Sequence, residues 1–363
     1  MLERVARWFR PRGRFFEAFQ IEVTSRCLTR CAMCPRVALA GQWHEQDLPW
    51  EAFQRIANVF PQTRHVHLQG WGEPLLHPRI FEMVALAKQA GCRVGLTTNG
   101  MGLDAAARSR LLDTGLDLAA ISIAGASREA HERIRVGSDF GLIIDNVRQL
   151  LALRAGRQTQ GPKVELSFLM TKANLAELPD AIRLAASLGV DELYATNLDY
   201  VITSAQDDSR AFGDRERAAS FDAILARAKE QAEGLGVAFR AYPLHPAEVA
   251  VCEANPLRIL FISSDGSVCP CPYLGLAGRS DIPRRFEGQA FCVERPRFGS
   301  VLDQDLRDIW ESPAYRAFRH QFERRLAQAT MMAVGGDAAG PGELPAPIPP
   351  PDPCLTCYKL YGA

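Results

Sequence analysis

Apolar and polar positions follow two different periods along the first two thirds of this chain. Short apolar runs, typical of strands buried in a parallel sheet, alternate with longer stretches in which apolar residues recur every three or four positions, as in amphipathic helices. Strands are predicted at residues 19–23, 65–69, 93–97, 118–123, 163–170 and 192–197. Helices are predicted at residues 50–60, 78–90, 105–113, 142–154, 175–188 and 215–233.

This alternation predicts an α/β fold in which parallel strands are joined by right-handed helical crossovers. Beyond residue 236 the pattern changes, because two short strand-like runs flank Gly266 in a predicted hairpin and residues 305–326 read as helical. We therefore predict three parts of the chain. They are a basic N-terminal arm at 1–16, a β/α domain at 17–235 and a C-terminal domain at 236–363, which contains a linker rich in proline, glycine and alanine at 332–353.

The amino-acid composition indicates which partners and which cellular compartment to expect. The 363 residues carry 42 basic and 42 acidic side chains, so no overall field favours a nucleic acid as partner. No apolar run approaches the length of about 18 residues that a membrane span needs, and no export signal opens the chain. Ten cysteines in such a chain favour metal binding in a reducing compartment over a disulfide framework. We expect a cytoplasmic protein without a membrane span.

Three cysteines follow the first predicted strand with the spacing C-x3-C-x2-C. They are Cys27, Cys31 and Cys34. Thiolates are the ligands that iron–sulfur clusters require, and three of them leave one iron of a four-iron cubane with an open coordination position. Zinc is the alternative, because a structural zinc ion takes four nitrogen or sulfur ligands, and His44 is the nearest candidate for the fourth.

The cysteine array resembles the signature of radical S-adenosylmethionine (radical SAM) enzymes. In this family the open iron of a [4Fe–4S] cluster is chelated by the amino and carboxylate groups of SAM. The resemblance implies an open six-stranded (βα)6 partial TIM barrel with its functional groups at the carboxyl ends of the strands.

The resemblance extends to residues 70–74, which follow the second predicted strand. Their sequence, Gly-Trp-Gly-Glu-Pro, resembles the Gly-Gly-Glu-Pro motif of the family, whose backbone and carboxylate meet the SAM amino group. Glycine allows a close backbone approach to a ligand, and Trp71 replaces the second glycine of the motif. The resemblance thus assigns SAM contacts to Gly70, Gly72, Glu73 and Pro74.

Four further residues match family positions around SAM. Asn99 lies in a Thr-Asn-Gly segment and would orient the ribose or the carboxylate, although a turn asparagine before glycine is the simpler interpretation. Ser122 would lie near the ribose, and Met33 would pack on the adenine. Arg135 would pair with the SAM carboxylate, with a surface ion pair as its alternative.

A second group of cysteines occupies the C-terminal region. Cys252, thirteen residues, Gly266, four residues and Cys271 resemble the opening of the SPASM/twitch domains of radical SAM enzymes. With Cys354 and Cys357 they would hold one auxiliary [4Fe–4S] cluster, for which a structural zinc site is the alternative. Cys269 competes with Cys271, and the spacing after the glycine favours Cys271.

The resemblance implies an enzyme that reductively cleaves SAM to a 5′-deoxyadenosyl radical, which abstracts hydrogen from the substrate. An oxidative maturation of a peptide or protein is our first interpretation, and a twitch-type dehydrogenase acting on a small sugar-like alcohol is the second. An external donor such as ferredoxin or flavodoxin would supply electrons. A non-catalytic iron–sulfur carrier or a zinc-stabilised binding module is the alternative from another class, although neither needs residues 70–74.

Overall fold

A parallel sheet forms the centre of the computed structural model, which describes residues 14–334 and 346–363. The strands are β1 Phe16–Ile21, β2 Arg30–Cys31, β3 Thr63–Leu68, β4 Arg93–Thr98, β5 Leu118–Ile123, β6 Arg135–Val136, β7 Lys163–Met170, β8 Glu192–Asn197, β9 Phe239–Ala241, β10 Ile259–Ile262, β11 Val268–Cys269, β12 Asp281–Phe286 and β13 Gln289–Glu294. The six strands that the sequence predicts are β1, β3, β4, β5, β7 and β8, in that order across the sheet.

Helices connect the parallel strands as crossovers and also follow the last strand, β13. They are α1 Pro35–Ala38, α2 Trp50–Ala57, α3 Ile80–Gln89, α4 Ala105–Asp113, α5 Arg128–Ile134, α6 Phe140–Gly156, α7 Leu178–Leu188, α8 Ser204–Asp208, α9 Ala218–Leu235, α10 Leu306–Trp310 and α11 Pro313–Val334. The short helix α5 was not predicted, because its seven residues are too few to show a clear helical period. Among the described helices, none has the length and apolar character that a membrane crossing requires.

The sheet is larger than the six predicted strands. In the described part of the chain it has nine strands, in the order β11-β10-β1-β3-β4-β5-β7-β8-β9. β10 and β11 form the predicted antiparallel hairpin, and β10 also pairs in parallel with β1, where Phe19 lies opposite Leu260. Three of the four β10 residues are fully buried, so this strand is stable only when both of its faces are covered.

The C-terminal region packs directly on β1 as well as pairing with it. The ring of Trp310 in α10 lies 5.0 Å from the ring of Phe16, which in turn lies 4.8 Å from the ring of Phe19. The boundary at residue 236 stays a prediction, because the β1 sheet and core continue into the C-terminal region. Of the predicted arm and linker, residues 1–13 and 335–345 lie outside the described residues.

Phe19 lies at the centre of this junction and is fully buried, whereas Phe15 on the same segment is 51% exposed. We expect Phe19→Ala to lower the free energy of unfolding by about 3–5 kcal/mol, because it leaves a cavity in the core. The matched variant Phe15→Ala should cost no more than about 1 kcal/mol. Chemical denaturation measures both, and equal losses would contradict a central role for Phe19.

Candidate active site

The carboxyl ends of the parallel strands surround a cavity with a volume of about 260 Å³. Its lining includes all three loop cysteines and every predicted SAM-contact residue except Pro74, which is buried in the turn after Glu73. The lining also contains polar residues that were not predicted. They lie near the carboxyl ends of β3, β4, β7 and β8 and are Gln69, Thr97, Ser167, Thr196, Asn197 and Asp199. Tertiary structure thus brings together residues that are more than 100 positions apart in the chain.

The cysteine loop is held in place by its own backbone and by a short ladder. The buried hydroxyl of Thr29 lies 3.2 Å from Sγ of Cys27 and 3.4 Å from Sγ of Cys31. β2 pairs antiparallel with β6, which places Cys31 opposite Arg135. Cys34 precedes α1, and burial raises the pKa of its thiol to about 12, with the neighbouring thiols adding to the shift. A bound cation would offset the cost of ionising these thiols.

The two glycines of residues 70–74 allow close packing within the protein. A Cβ on Gly70 would overlap the side chain of Glu22 and lie 2.7 Å from its Oε1. A Cβ on Gly72 would overlap the carbonyl oxygen of Thr24 and lie 2.8 Å from that of Arg26. In this structure the close approach is therefore to the end of β1 and the cysteine loop, whereas the sequence suggested an approach to a ligand.

Glu73 connects the loop after β3 to the end of β4. Its carboxylate accepts hydrogen bonds from the Thr98 hydroxyl at 2.7 Å, the Asn99 backbone N–H at 2.7 Å and the Leu75 backbone N–H at 3.2 Å. Its own backbone N–H donates to the carbonyl of Arg26 at 2.7 Å. Burial raises the pKa of Glu73, and these donors and Arg135 oppose that shift. The carboxylate therefore organises the loops around the cavity through contacts with the chain itself.

The remaining predicted SAM contacts differ in how free their polar atoms are. The side chain of Asn99 accepts from the backbone N–H of Met101 at 2.9 Å, as a turn asparagine does, while its amide nitrogen lies 3.9 Å from Sγ of Cys27. Arg135 makes no ion pair with a described residue, and its buried Nε has no hydrogen-bond partner there. A guanidinium beside a cavity, with one buried nitrogen that lacks a hydrogen-bond partner, fits an anionic group such as a carboxylate.

Ser122 and Met33 complete the set from opposite sides of the cavity. Ser122 in β5 lies next to Ser167 in β7, so two hydroxyl side chains stand side by side on the lining. Met33 packs against an apolar cluster that contains Leu198 and Tyr358. A thioether is an adaptable apolar contact and suits a flat ring.

The four cysteines of the C-terminal region also come together. Burial raises the pKa of each of their thiols, and the nearby thiols of the same group raise those of Cys252, Cys271 and Cys354 further. The buried guanidinium of Arg284 donates to the carbonyl of Pro353 at 3.0 Å, and to those of Thr356 and Tyr273 at 3.4 Å. One arginine thus joins the last two cysteines to the segment that follows Cys271.

Three cysteines lie elsewhere. Sγ of Cys269 accepts a hydrogen bond from Arg295 at 3.7 Å, and burial raises the pKa of its thiol to about 11. Cys292 is exposed on β13 and donates to Asp281, and Cys92 is buried against the carbonyls of Phe60 and Thr63. Arg295 thus contacts Cys269, whereas the spacing after Gly266 continues to favour Cys271 as the predicted ligand.

A polar bridge that the sequence did not predict lies between the cavity and the four cysteines. Asp199 lines the cavity, and its Oδ2 accepts from the Tyr273 hydroxyl at 2.9 Å and pairs with Nζ of the buried Lys359 at 3.0 Å. Tyr273 and Lys359 are each two residues from a cysteine of the group. An aspartate two residues after a predicted strand was the one available signal, and alone it is weak.

Sulfur donors in this arrangement fit iron–sulfur clusters, because three thiols at a cavity leave room for a further ligand and four buried thiols close a coordination shell. Among residues 14–334 and 346–363, no three His, Cys, Asp or Glu side chains are placed to hold a single metal ion.

Two family models match this chain, one in the β/α region and one in the C-terminal region. Residues 21–185 match the model described as the radical SAM superfamily, and residues 252–331 match SPASM, described as an iron–sulfur cluster-binding domain. This chain belongs to the radical SAM superfamily. It is an enzyme of that superfamily. Its cofactors are a [4Fe–4S] cluster, SAM and an auxiliary iron–sulfur cofactor in the SPASM domain.

Three curated relatives align with between 66% and 82% of this chain. It is 28% identical over 305 residues to a tungsten-containing aldehyde ferredoxin oxidoreductase cofactor-modifying protein of Pyrococcus furiosus, with 82% of each chain covered. It is 26% identical over 303 residues to the PqqA peptide cyclase of Methylorubrum populi, covering 82% of this chain and 73% of the relative. It is also 26% identical over 243 residues to the pre-heme d1 synthase of Dinoroseobacter shibae, covering 66% and 56%.

Solved structures confirm the predicted α/β partial-barrel fold. Streptococcus suis SuiB bound to S-adenosylmethionine superposes with a TM-score of 0.63 at 12% identity, covering 88% of this chain and 71% of that one. Native anSMEcpe with bound AdoMet superposes with a TM-score of 0.57 at 16% identity, covering 83% and 82%. At these identities the likeness concerns the fold alone.

Gly72 packs against backbone atoms, which cannot move aside as a flexible side chain can. We expect Gly72→Ala to cost about 1–3 kcal/mol of stability and to weaken SAM binding, because the methyl group pushes residues 70–74 away from the cysteine loop. Gly41→Ala is the matched control, since nothing lies within 4 Å of its added Cβ. Equilibrium dialysis with labelled SAM and thermal melting measure both effects, and wild-type binding by the Gly72 variant would refute the packing role.

Proposed function

We propose that this radical SAM enzyme carries out an oxidative modification or maturation of a peptide or protein. The arrangement that supports the proposal is a cavity with three thiols on one side and, on the other, Asp199 in contact with the surroundings of a four-thiol group. The peptide choice rests on relatives, since the similarity to PqqA peptide cyclase spans 82% of the chain. The similarity to pre-heme d1 synthase keeps a small-molecule substrate as the second candidate.

In this proposal each group of residues has a separate task. Cys27, Cys31 and Cys34 hold the cluster that binds SAM, while Arg135 holds the SAM carboxylate. When bound, the cluster and SAM supply a 5′-deoxyadenosyl radical that removes a hydrogen atom from the substrate. Residues 70–74, through the Glu73 carboxylate, keep the loops closed around that site. The closed loops exclude water from it.

The four C-terminal cysteines, Cys252, Cys271, Cys354 and Cys357, hold one auxiliary [4Fe–4S] cluster in this proposal. All four of its irons then have a protein thiolate, so the cluster accepts or relays an electron without binding substrate. The Asp199–Lys359 pair lies between that cluster and the cavity, so the substrate and the electron acceptor share one wall.

An external one-electron donor, ferredoxin or flavodoxin, completes the proposed reaction, because cleaving SAM consumes an electron that the chain does not generate. We place the protein in the cytoplasm. The support for this is that all ten cysteines are free in the structure, as iron–sulfur ligands and spare thiols are in a reducing compartment.

The first experiment measures SAM cleavage. We expect anaerobically reconstituted protein with SAM and dithionite to produce 5′-deoxyadenosine, and Cys27→Ala to abolish it, because one cluster ligand is lost. Cys92→Ala is the matched control, since that buried thiol lies in neither group. Protein that holds about eight irons yet makes no 5′-deoxyadenosine would point to an electron carrier, and zinc in place of iron would point to a binding module.

The substrate class is tested by mass spectrometry of a cell extract separated by size and incubated with the enzyme and SAM. We expect a mass change in a peptide or protein of the large-molecule fraction. A change confined to the small-molecule fraction would instead support the dehydrogenase alternative.

The second cluster is tested with a pair of adjacent cysteines. We expect Cys271→Ala to lose about half of the bound iron, as one of two four-iron clusters, while retaining SAM cleavage. Cys269→Ala should keep its iron, because that thiol accepts a hydrogen bond from Arg295 and is not one of the four proposed ligands. Iron analysis and Mössbauer spectroscopy measure this, and the opposite result would exchange the two assignments.

A further inference from the structure

An exposed face lies on the cysteine loop and the β2–β6 ladder, made of residues that do not line the cavity. We call it the β2–β6 rim and define it by Leu28, Arg30, Arg133 and Val136. The side chain of Leu28 is 82% exposed and that of Val136 is 41% exposed. Arg30 lies opposite Val136 in the two-stranded ladder, and the Cβ direction of Gly137 points to the backbone of residues 28–30.

The rim is adjacent to the proposed SAM cluster in sequence and in space. Leu28 follows Cys27 directly, and Arg30 precedes Cys31. The ladder is tied to the helix α5 by the hydrogen bond from the Ala32 N–H to the Ile134 carbonyl at 2.9 Å. Leu28 beside the ladder and Val136 on it give the rim a small apolar centre on an anchored backbone.

The charge of the rim favours an acidic partner. Arg30 and Arg133 are exposed, and neither forms an ion pair with any residue that the structure describes. Residues 26–36 and 128–139 contain six arginines and three acids, and two of these arginines, Arg26 and Arg36, pair with Asp47 and Glu45 outside those ranges. Two of those acids, Glu132 and Asp139, pair with Arg128. The rim therefore presents unpaired positive charge around an apolar centre.

We infer that the β2–β6 rim is the docking surface for a small acidic ferredoxin that reduces the cluster held by Cys27, Cys31 and Cys34. The inference rests on the proposed function, because only a cluster at that loop needs the electron. One ferredoxin is oxidised by one electron and the cluster is reduced by one electron, with no atom transferred. The ladder has two residues in each strand, so the face is small and fits a small carrier.

A substrate peptide is the other partner to consider for this face. The substrate must reach the cavity, where Asp199 and Ser122 line the wall, whereas Leu28 and Arg30 are absent from that lining. The position of the rim outside the cavity lining thus favours a partner that delivers an electron through the loop over one that enters the cavity.

The test reverses the two unpaired charges in the reconstituted holoenzyme. We expect Arg30→Glu with Arg133→Glu to weaken binding of an acidic [4Fe–4S] ferredoxin about tenfold or more at low ionic strength, and to make binding less sensitive to salt. Production of 5′-deoxyadenosine with reduced ferredoxin should fall similarly, while production with dithionite stays within about twofold of wild type. Calorimetry and product analysis measure the two effects.

Arg227→Glu with Arg316→Glu is the matched control, since both arginines are exposed on the distant helices α9 and α11. Leu28→Ser is a second variant and should weaken ferredoxin binding with its salt dependence intact. Unchanged ferredoxin binding in the charge-reversed protein, or an equal loss in the control, would overturn the inference.

Other outcomes are equally decisive. Weaker binding of flavodoxin alone would overturn the choice of carrier, and weaker binding of a substrate peptide alone would make the rim a peptide site. If the wild type makes no 5′-deoxyadenosine even with dithionite, the proposed function fails, and that result is separate from the ferredoxin binding measured by calorimetry.

Discussion

A single buried carboxylate joins the three segments on which the cavity depends. Glu22 lies just beyond β1, fully buried, and accepts hydrogen bonds from the Trp71 backbone N–H at 2.8 Å, the Ser264 backbone N–H at 3.0 Å and the Ser264 hydroxyl at 2.7 Å. Burial raises its pKa and these donors lower it. An uncompensated buried carboxylate is costly, so the three donors must stay in place for the fold to persist.

This carboxylate explains two features that otherwise look unrelated. Position 70 is a glycine because the Glu22 side chain occupies the space where a Cβ would be. The β10–β11 hairpin shares the sheet with β1, and its turn supplies Ser264 to the same carboxylate. The radical SAM half and the SPASM half therefore meet at the base of the cysteine loop, so a disturbance in one half reaches the other through a few hydrogen bonds.

An aromatic and ionic group that includes the Trp71 side chain makes the second connection between the halves. Trp71, in place of the family glycine, packs 5.5 Å from Tyr200 and 6.2 Å from Tyr273, ring to ring. The Tyr273 hydroxyl and Lys359 both contact Asp199. The departure from the family motif at position 71 is thus used for packing between the cavity and the proposed auxiliary cluster, which places both proposed clusters around one substrate space.

The sequence by itself determined the six central strands and their parallel order, because short-range periodicity encodes them directly, and it indicated both cysteine groups through motif spacing and the family resemblance. Tertiary structure alone decided that β10 joins β1 and that Glu22, Asp199 and Arg284 connect the parts. The physical reason is that each of these depends on a partner more than 40 residues away. When distant segments bury a polar side chain and form hydrogen bonds with it, those contacts produce no periodic pattern in the sequence.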